Sequence, residues 1–595
     1  MERKLKERES KRSCVLPILT LVMVIAMFLF WFLPYRSVLS YHEQFQLFVT
    51  TFDYFREAVM LPGGLSNYLA EALTQFYIMP ITGALIISLL LLLLQLIIHA
   101  IAKRLYGTIP TNSYLLSYVP LLLLWLYLGD VNVMLSYPIA LISLLCVAWA
   151  YTFICNKNHR LIASVLIAMT SYWLLGTVAY AFCLFALLFE MKSKSGASHL
   201  VVMVATQSVA IVAMVFFSSN IVNYPIDRLL NGLFYYRIPT VVPIVQYLLM
   251  VVVVIVPFLY SVSIVKWVGF ALKEIVAVGI FVFCSATLII LGVRFFYDGR
   301  QYELIDYDCL VRTNNWNGIL QKATARQPEL PMSVCATNLA LGMTDQLCEK
   351  AFQYYQNGEE GLLPPFRREP NSLLITAEAY YQLGLVNTAQ RFYFEAMEAI
   401  PNCSKSGRCI RRIAETNIIN GQYDVALKYL RILEKTLFYK RWAQQTMQLM
   451  DDETSIDNHP FYGRIRRSLL TNDLLFSEQE VDKLLGQLII QNPDNKLAMQ
   501  YMLIHPLLSR DIDKFMQYFA VLQKRKSFIP PICQQGILFA CMQRSIPIPQ
   551  NLVDNKETEK LRRFATIMST EGKESPKLNE YKNTLWYYLL VGNIK

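Results

Sequence analysis

The sequence predicts an all-α chain in two parts, a multispan transmembrane helical domain of about nine spans followed by a helical-repeat solenoid. Three observations carry this. Residues 13–295 are long apolar runs separated by short polar stretches, whereas residues 296–595 mix charges of both signs with regularly placed Leu, Ala and Tyr. The average over 595 residues, 55% hydrophobic and 17% charged, suits no single soluble domain and is explained by these unlike halves. The second half also repeats itself at an interval of 37 residues. The boundary falls in "RFFYDGRQYELIDYD" (294–308), which divides the chain into a basic tail at 1–14, a membrane domain at 15–295 and a soluble domain at 296–595.

About 20 apolar residues cross a bilayer. The runs that qualify are 15–34, 78–102, 113–129, 134–154, 161–176, 177–191, 199–218, 241–260 and 275–293. The stretch 161–191 is long for one helix and short for two, and Gly176 with Thr177 supplies a turn. The first run is too long for a signal peptide and lacks a small-residue cleavage site, so it reads as a retained anchor. Lys and Arg set the orientation. The tail carries Arg3, Lys4, Lys6, Arg8, Lys11 and Arg12, and every second loop adds a pair: Lys103 and Arg104, Lys157 and Arg160, Lys192 and Lys194, Lys266 and Lys273. The intervening loops hold only Arg36, Arg56, Arg228 and Arg237. Fourteen against four places the tail in the cytoplasm. An odd number of spans then puts residues 296–595 in the periplasm of a bacterium, with the chain a multi-pass protein of the inner membrane. Much of the net charge of +11 lies in these flanks, which makes it a topology signal and excludes nucleic acid as the expected partner.

The far side also receives an amphipathic loop at 35–77, together with Asp130 and the segment 219–240. Residues 41–60 place Phe45, Phe48, Phe52 and Phe55 at i, i+3, i+7 and i+10, one face of a helix. Aromatic on one side and charged on the other, such a helix lies along a lipid surface. Pro62-Gly63-Gly64 ends it, and "LSNYLAEALTQF" starts a second helix that runs into the second span.

In the soluble half, "LLITAEAYYQLGLVNTAQRFYFEAMEAIP" aligns with "CIRRIAETNIINGQYDVALKYLRILEKTL", and Ala377, Gly384 and Ala389 map onto Ala414, Gly421 and Ala426. Ala377, Tyr380, Gly384, Ala389, Tyr393, Ala396 and Pro401 resemble the tetratricopeptide pattern, in which small residues let two helices approach and Gly breaks the chain between them. A weaker copy begins at "NPDNKLAMQYML" (492–503), with Ala498 and Tyr501 in the corresponding places. Units of this kind stack into a solenoid, whose concave face meets either a partner or the chain's own membrane domain.

Twelve cysteines include no CxxC pair and no cluster with zinc spacing. Cys403 and Cys409 flank a polar turn in "PNCSKSGRCI", where they either close a small disulfide loop or stay reduced. There is no Walker motif, no Gly-x-Gly-x-x-Gly, no Gly-x-Ser-x-Gly and no His-Glu-x-x-His. The span centres are almost free of ionisable residues, which argues against a proton-coupled transporter.

A first span followed by an outer loop with two juxtamembrane helices and an early acidic residue resembles the GT-C superfamily of multispan glycosyltransferases. The plan as a whole, with "LPGGLSNYLAEALTQF" leading into span two and repeats at the end, also resembles an uncharacterised bacterial membrane-protein family. The first resemblance covers roughly residues 15–218 in layout and implies a polyprenyl-phosphate sugar donor. It also implies a loop carboxylate that is a catalytic base or holds a divalent metal, although the loop has no adjacent Asp-Asp or Asp-x-Asp/Glu pair. Glu43 takes the matching place and Asp53 is the second candidate. Transfer from a lipid-linked phosphate needs a carboxylate for the acceptor proton and cations for the departing phosphate. Arg36, Arg56, Arg228 and Arg237 are the cations on that side. Two readings follow: a glycosyltransferase whose solenoid guides an acceptor glycan or protein, or a membrane-anchored scaffold that recruits periplasmic proteins.

Overall fold

The computed structural model describes residues 2–107, 111–231, 244–260, 274–367, 370–400, 404–470, 480–523 and 529–592, and these contain helices and no strand. They form two compact units. The first comprises Met1–Gln301 with the short segments Pro401–Lys405 and Lys435–Phe438; the second holds the remainder from Tyr302 onward.

In the first unit every apolar run is helical over most of its described residues. The helices are α1 (Glu2–Phe32), α2 (Arg36–Gln44), α3 (Phe52–Val59), α4 (Gly64–Thr74), α5 (Pro80–Tyr106), α6 (Tyr118–Tyr127) and α7 (Ser136–Tyr151). There follow α8 (Lys157–Leu175), α9 (Ala179–Lys192), α10 (Ala197–Ser219), α11 (Ile226–Asn231), α12 (Ile244–Leu259) and α13 (Glu274–Phe296). Five stretches are long and apolar enough to cross a membrane: Val15–Phe32, Pro80–Tyr106, Lys157–Lys192, Ala197–Ser219 and Ile275–Phe296. Asn112–Tyr127, Ser136–Tyr151 and Ile244–Leu259 are apolar but shorter than a straight crossing requires. The expected nine spans thus reduce to five full-length candidates among the described residues. Their outer faces stay apolar, with Ile275 and Phe283 both more than 70% exposed, as a lipid solvent permits and water does not.

The stretch Lys157–Lys192 folds in two. Gly176, at φ +81°, separates α8 from α9, and Arg160 Nε lies 2.5 Å from Glu190 Oε1. In one unbroken helix those residues would stand about 45 Å apart, so the turn at Gly176–Thr177 is real.

Loops separated by one apolar helix collect at opposite ends of the bundle. At one end Arg104 lies 4.4 Å over the Phe153 ring and Lys192 lies 4.0 Å over the Tyr106 ring, beside the Arg160–Glu190 pair. At the other end Trp31 and Tyr35 meet Tyr297, Trp173 Nε1 donates to Val59 O at 3.1 Å, and Tyr172 OH donates to Leu229 O at 3.0 Å.

The loop at 35–77 departs from expectation. Residues 41–60 are not one helix: α2 ends at Gln44, residues 46–51 run without helix, and α3 starts at Phe52. The β-branched run Val49-Thr50-Thr51 favours extended backbone, and Thr51 caps α3 through its side-chain oxygen. The four phenylalanines therefore do not share a face. Phe45 and Phe48 are buried, whereas Phe52 is 75% exposed. Gly63 and α4 follow as expected.

In the second unit two helix pairs share one build. Pro370–Leu383 with Val386–Glu398 is followed by Gly407–Ile419 with Tyr423–Glu434, and Ala377, Ala389, Ala414 and Ala426 are all fully buried. Gly384 and Gly421 both occupy the left-handed region between the paired helices. The same cap recurs where the sequence has no glycine. Asn314, Asp345, Arg510 and Ser545 are also left-handed, and in all six turns the next amide bonds the carbonyl five residues back, as in Leu385 N to Tyr380 O and Asp511 N to Pro506 O.

The first helix of each pair is covered by later residues of the chain. Tyr462 OH reaches Glu415 Oε1 at 3.5 Å, Arg464 donates to Gln382 Oε1 at 2.6 Å, and Asn495 Nδ2 donates to Leu383 O at 2.9 Å. The face on which a solenoid would receive a partner is filled, at these helices, by the protein itself.

Candidate functional site

Two polar groupings lie in the loop at one end of the bundle. The first surrounds His42 on α2. A small cavity, about 20 Å³, is lined by His42, Trp31, Thr74 and Tyr77 together with Leu39, Ile87, Leu128, Val133 and Leu135. That is room for one water-sized group. Trp31 Nε1 and Tyr77 OH are buried without a hydrogen-bond partner among the described residues. Burial depresses the His42 imidazole to about 4, against the opposing pull of Asp130, so the ring is neutral at physiological pH. Its chain neighbour Glu43 is buried at 3% exposure.

The second grouping joins α3 to α4. The Tyr54 hydroxyl donates to Glu71 Oε2 and also lies 3.2 Å from Leu47 O, while Asn67 Nδ2 donates to Glu71 Oε1 at 2.7 Å. Burial pushes the Glu71 carboxyl up to about 7, and the bonds from Tyr54 and Asn67 only partly offset that. Gln75, just past the end of α4, donates its Nε2 back to Gln46 O at 2.5 Å.

The remaining expected residues are dispersed. Asp53 and Arg56 pair with each other at 3.6 Å on the exposed side of α3. Arg36 is exposed at the start of α2, and Arg228 is half-buried on α11. Arg237 and Cys403 lie outside the described residues. Cys409 is a fully buried thiol behind the Ser406 cap, pushed up to about 11 by burial. Among the described residues no group of three or more His, Cys, Asp or Glu is arranged to hold a metal ion.

The model of DUF6057, a family of unknown function, matches residues 10–592, across both units. The chain belongs to the DUF6057 family. No curated protein and no solved structure matches it.

In this DUF6057 chain the residues that sequence reasoning passed over are His42, Asp130 and Glu71. Asn67 and Glu71 stand at i and i+4 on one helix, a legible pairing. Tyr54 joins them only because α3 folds onto α4, and Asp130 reaches His42 only because the bundle brings them together.

Proposed function

We propose that this protein is a GT-C-like glycosyltransferase of the bacterial inner membrane, moving a sugar from a polyprenyl-phosphate carrier at the periplasmic face. The observation that supports it is the cavity against neutral His42, where two buried donors, Trp31 Nε1 and Tyr77 OH, have no partner among the described residues. A buried donor left unbonded costs about 1–3 kcal/mol, a cost that a bound oxygen would remove. In this reading His42 orients an acceptor hydroxyl and Glu43 takes its proton. The acceptor oxygen forms the new bond to the sugar carbon, and the carrier phosphate leaves with the bonding electrons toward Arg36, Arg56 and Arg228. Asp53 on α3 is the reserve carboxylate.

The experiment is the envelope glycan profile of a deletion strain complemented with variants. Glu43→Gln or His42→Asn lowers the transferred product by roughly 10²–10⁴-fold while the protein stays in the membrane. If the deletion changes the profile and both variants restore it fully, the enzyme reading fails.

The second reading is a scaffold. Its support is the repeated helix pair at tetratricopeptide-like spacing, together with a groove of about 400 Å³ beside Met499, Leu503, Phe519 and Cys533. Full restoration by both variants would favour it.

A further inference from the structure

We propose that Tyr54, Glu71 and Asn67 form a proton-operated latch that ties the segment before α3 to α4 when Glu71 carries a proton and loosens it when Glu71 is ionised.

The Tyr54 hydroxyl has one hydrogen and faces two acceptors, Leu47 O at 3.2 Å and Glu71 Oε2. When Glu71 is protonated its own hydroxyl donates to the Tyr54 oxygen, which frees the Tyr54 hydrogen for Leu47 O. Asn67 still donates to the other Glu71 oxygen. The chain Leu47–Tyr54–Glu71–Asn67 is then fully bonded. When Glu71 is ionised it accepts the Tyr54 hydrogen, and the Leu47 carbonyl loses its bond. One proton decides whether Tyr54 also holds the segment at Leu47 O, beside its standing bonds at Gln46 O, Leu47 N and Thr50 N.

The surroundings leave this decision to Glu71. On α3 Glu57 acts on Tyr54 while Asp53 pairs with Arg56, and on α4 Tyr68 acts on Tyr54. Both α7 and α8 pack on α4. α7 carries only Tyr137, Cys146 and Tyr151 as titratable groups. The charged residues of α8, Lys157, His159 and Arg160, belong to its far end beside Glu190. Lys405 and Lys435 meet the segment through their backbone carbonyls, which accept from Leu47 N and Thr50 N at 2.9 Å. Glu71 is therefore a carboxylate held by neutral donors, and its burial favours the protonated form near neutrality. α3 has no buried residue of its own, so few other contacts hold it when the latch opens.

The test is amide hydrogen exchange of residues 45–60 in the full-length protein in lipid nanodiscs, corrected for the intrinsic pH dependence of exchange. Protection in the natural protein falls on the order of tenfold per pH unit from about pH 5 to 7, then levels off, because the open segment returns Glu71 to its ordinary acidity. Glu71→Gln, whose amide donates to Tyr54 as the protonated acid does, keeps high protection at every pH. Tyr54→Phe, which removes the relay but keeps the ring, gives low protection at every pH. Protection that does not change with pH in the natural protein, or a transition that survives in Glu71→Gln, overturns the latch.

Discussion

In the first unit Glu71 is buried among neutral donors, and its carboxyl is pushed up to about 7. In the second unit Glu415 is buried too, but Arg412 and Arg411 lie against it at 2.6 and 3.1 Å and hold it below the usual carboxylate range despite its burial. Both carboxylates are buried, at 8% and 1% exposure, and the sign of the shift is opposite. Burial alone disfavours charge; a guanidinium in the same dry surroundings reverses that. The consequences for stability also oppose. Glu71, raised on folding, contributes stability that is present below about pH 4.5 and lost as pH rises through about 7. Glu415, depressed on folding, contributes stability that is present above its unfolded value and lost as pH falls through the folded one. The first site is built to change state and the second to stay fixed.

The comparison breaks most readily at Arg412. Its guanidinium bridges Glu378 at 2.9 Å and Glu415 at 2.6 Å, and Tyr393 adds a hydroxyl to Glu378 at 2.8 Å. Arg412→Met leaves two buried carboxylates without their shared cation and lowers stability by about 3–5 kcal/mol in denaturant unfolding. Adding Glu415→Gln to that variant recovers part of the loss. If Arg412→Met unfolds at the same denaturant concentration as the natural protein, the buried pair contributes nothing and the contrast with Glu71 fails.

A smaller effect separates the two repeated turns. Gly384 and Gly421 stand at φ +98° and +74°, and a left-handed alanine costs about 1–2 kcal/mol. At Gly421 nothing lies nearer to an added Cβ than Arg466 at 3.9 Å, so Gly421→Ala shows that cost alone. At Gly384 the added carbon would lie 2.7 Å from Ser468 Cβ and 3.1 Å from Ser468 O. Gly384→Ala therefore costs more, by about 1 kcal/mol or above. Equal costs by thermal unfolding would mean that the covering segment at Ser468 yields freely.

How far the sequence was legible differs between these regions for physical reasons. The apolar helices were readable because lipid demands unbroken apolar runs, and the fold at Gly176 because a turn there needs its backbone freedom. The helix pair at 370–398 and its copy were readable through Gly384 and Gly421. The other four turns were not, because Asn314, Asp345, Arg510 and Ser545 take the left-handed conformation without a glycine to signal it. For the same reason the copy at 492–503 has another register than its sequence suggests: judged from its turn at Arg510, Ala498 and Tyr501 fall at the places of Ser372 and Ile375, not of Ala377 and Tyr380. In the loop, position along the chain points to Glu43 and Asp53 but says nothing about burial. The structure buries Glu43 and leaves Asp53 exposed against Arg56. Glu71 carries no signal of its own in the sequence, since its importance depends on Tyr54 arriving from another helix.

Glu71 changes charge near neutrality and Glu415 does not. Infrared difference titration of the full-length protein, with Glu71→Gln and Glu415→Gln as reference variants, reads both groups directly. The predicted result is a protonated-carboxyl band that disappears as pH rises through about 7 and is absent from Glu71→Gln, with Glu415 ionised throughout that range. A natural protein with no carboxyl titrating near neutrality, or a band unchanged by Glu71→Gln, would contradict it.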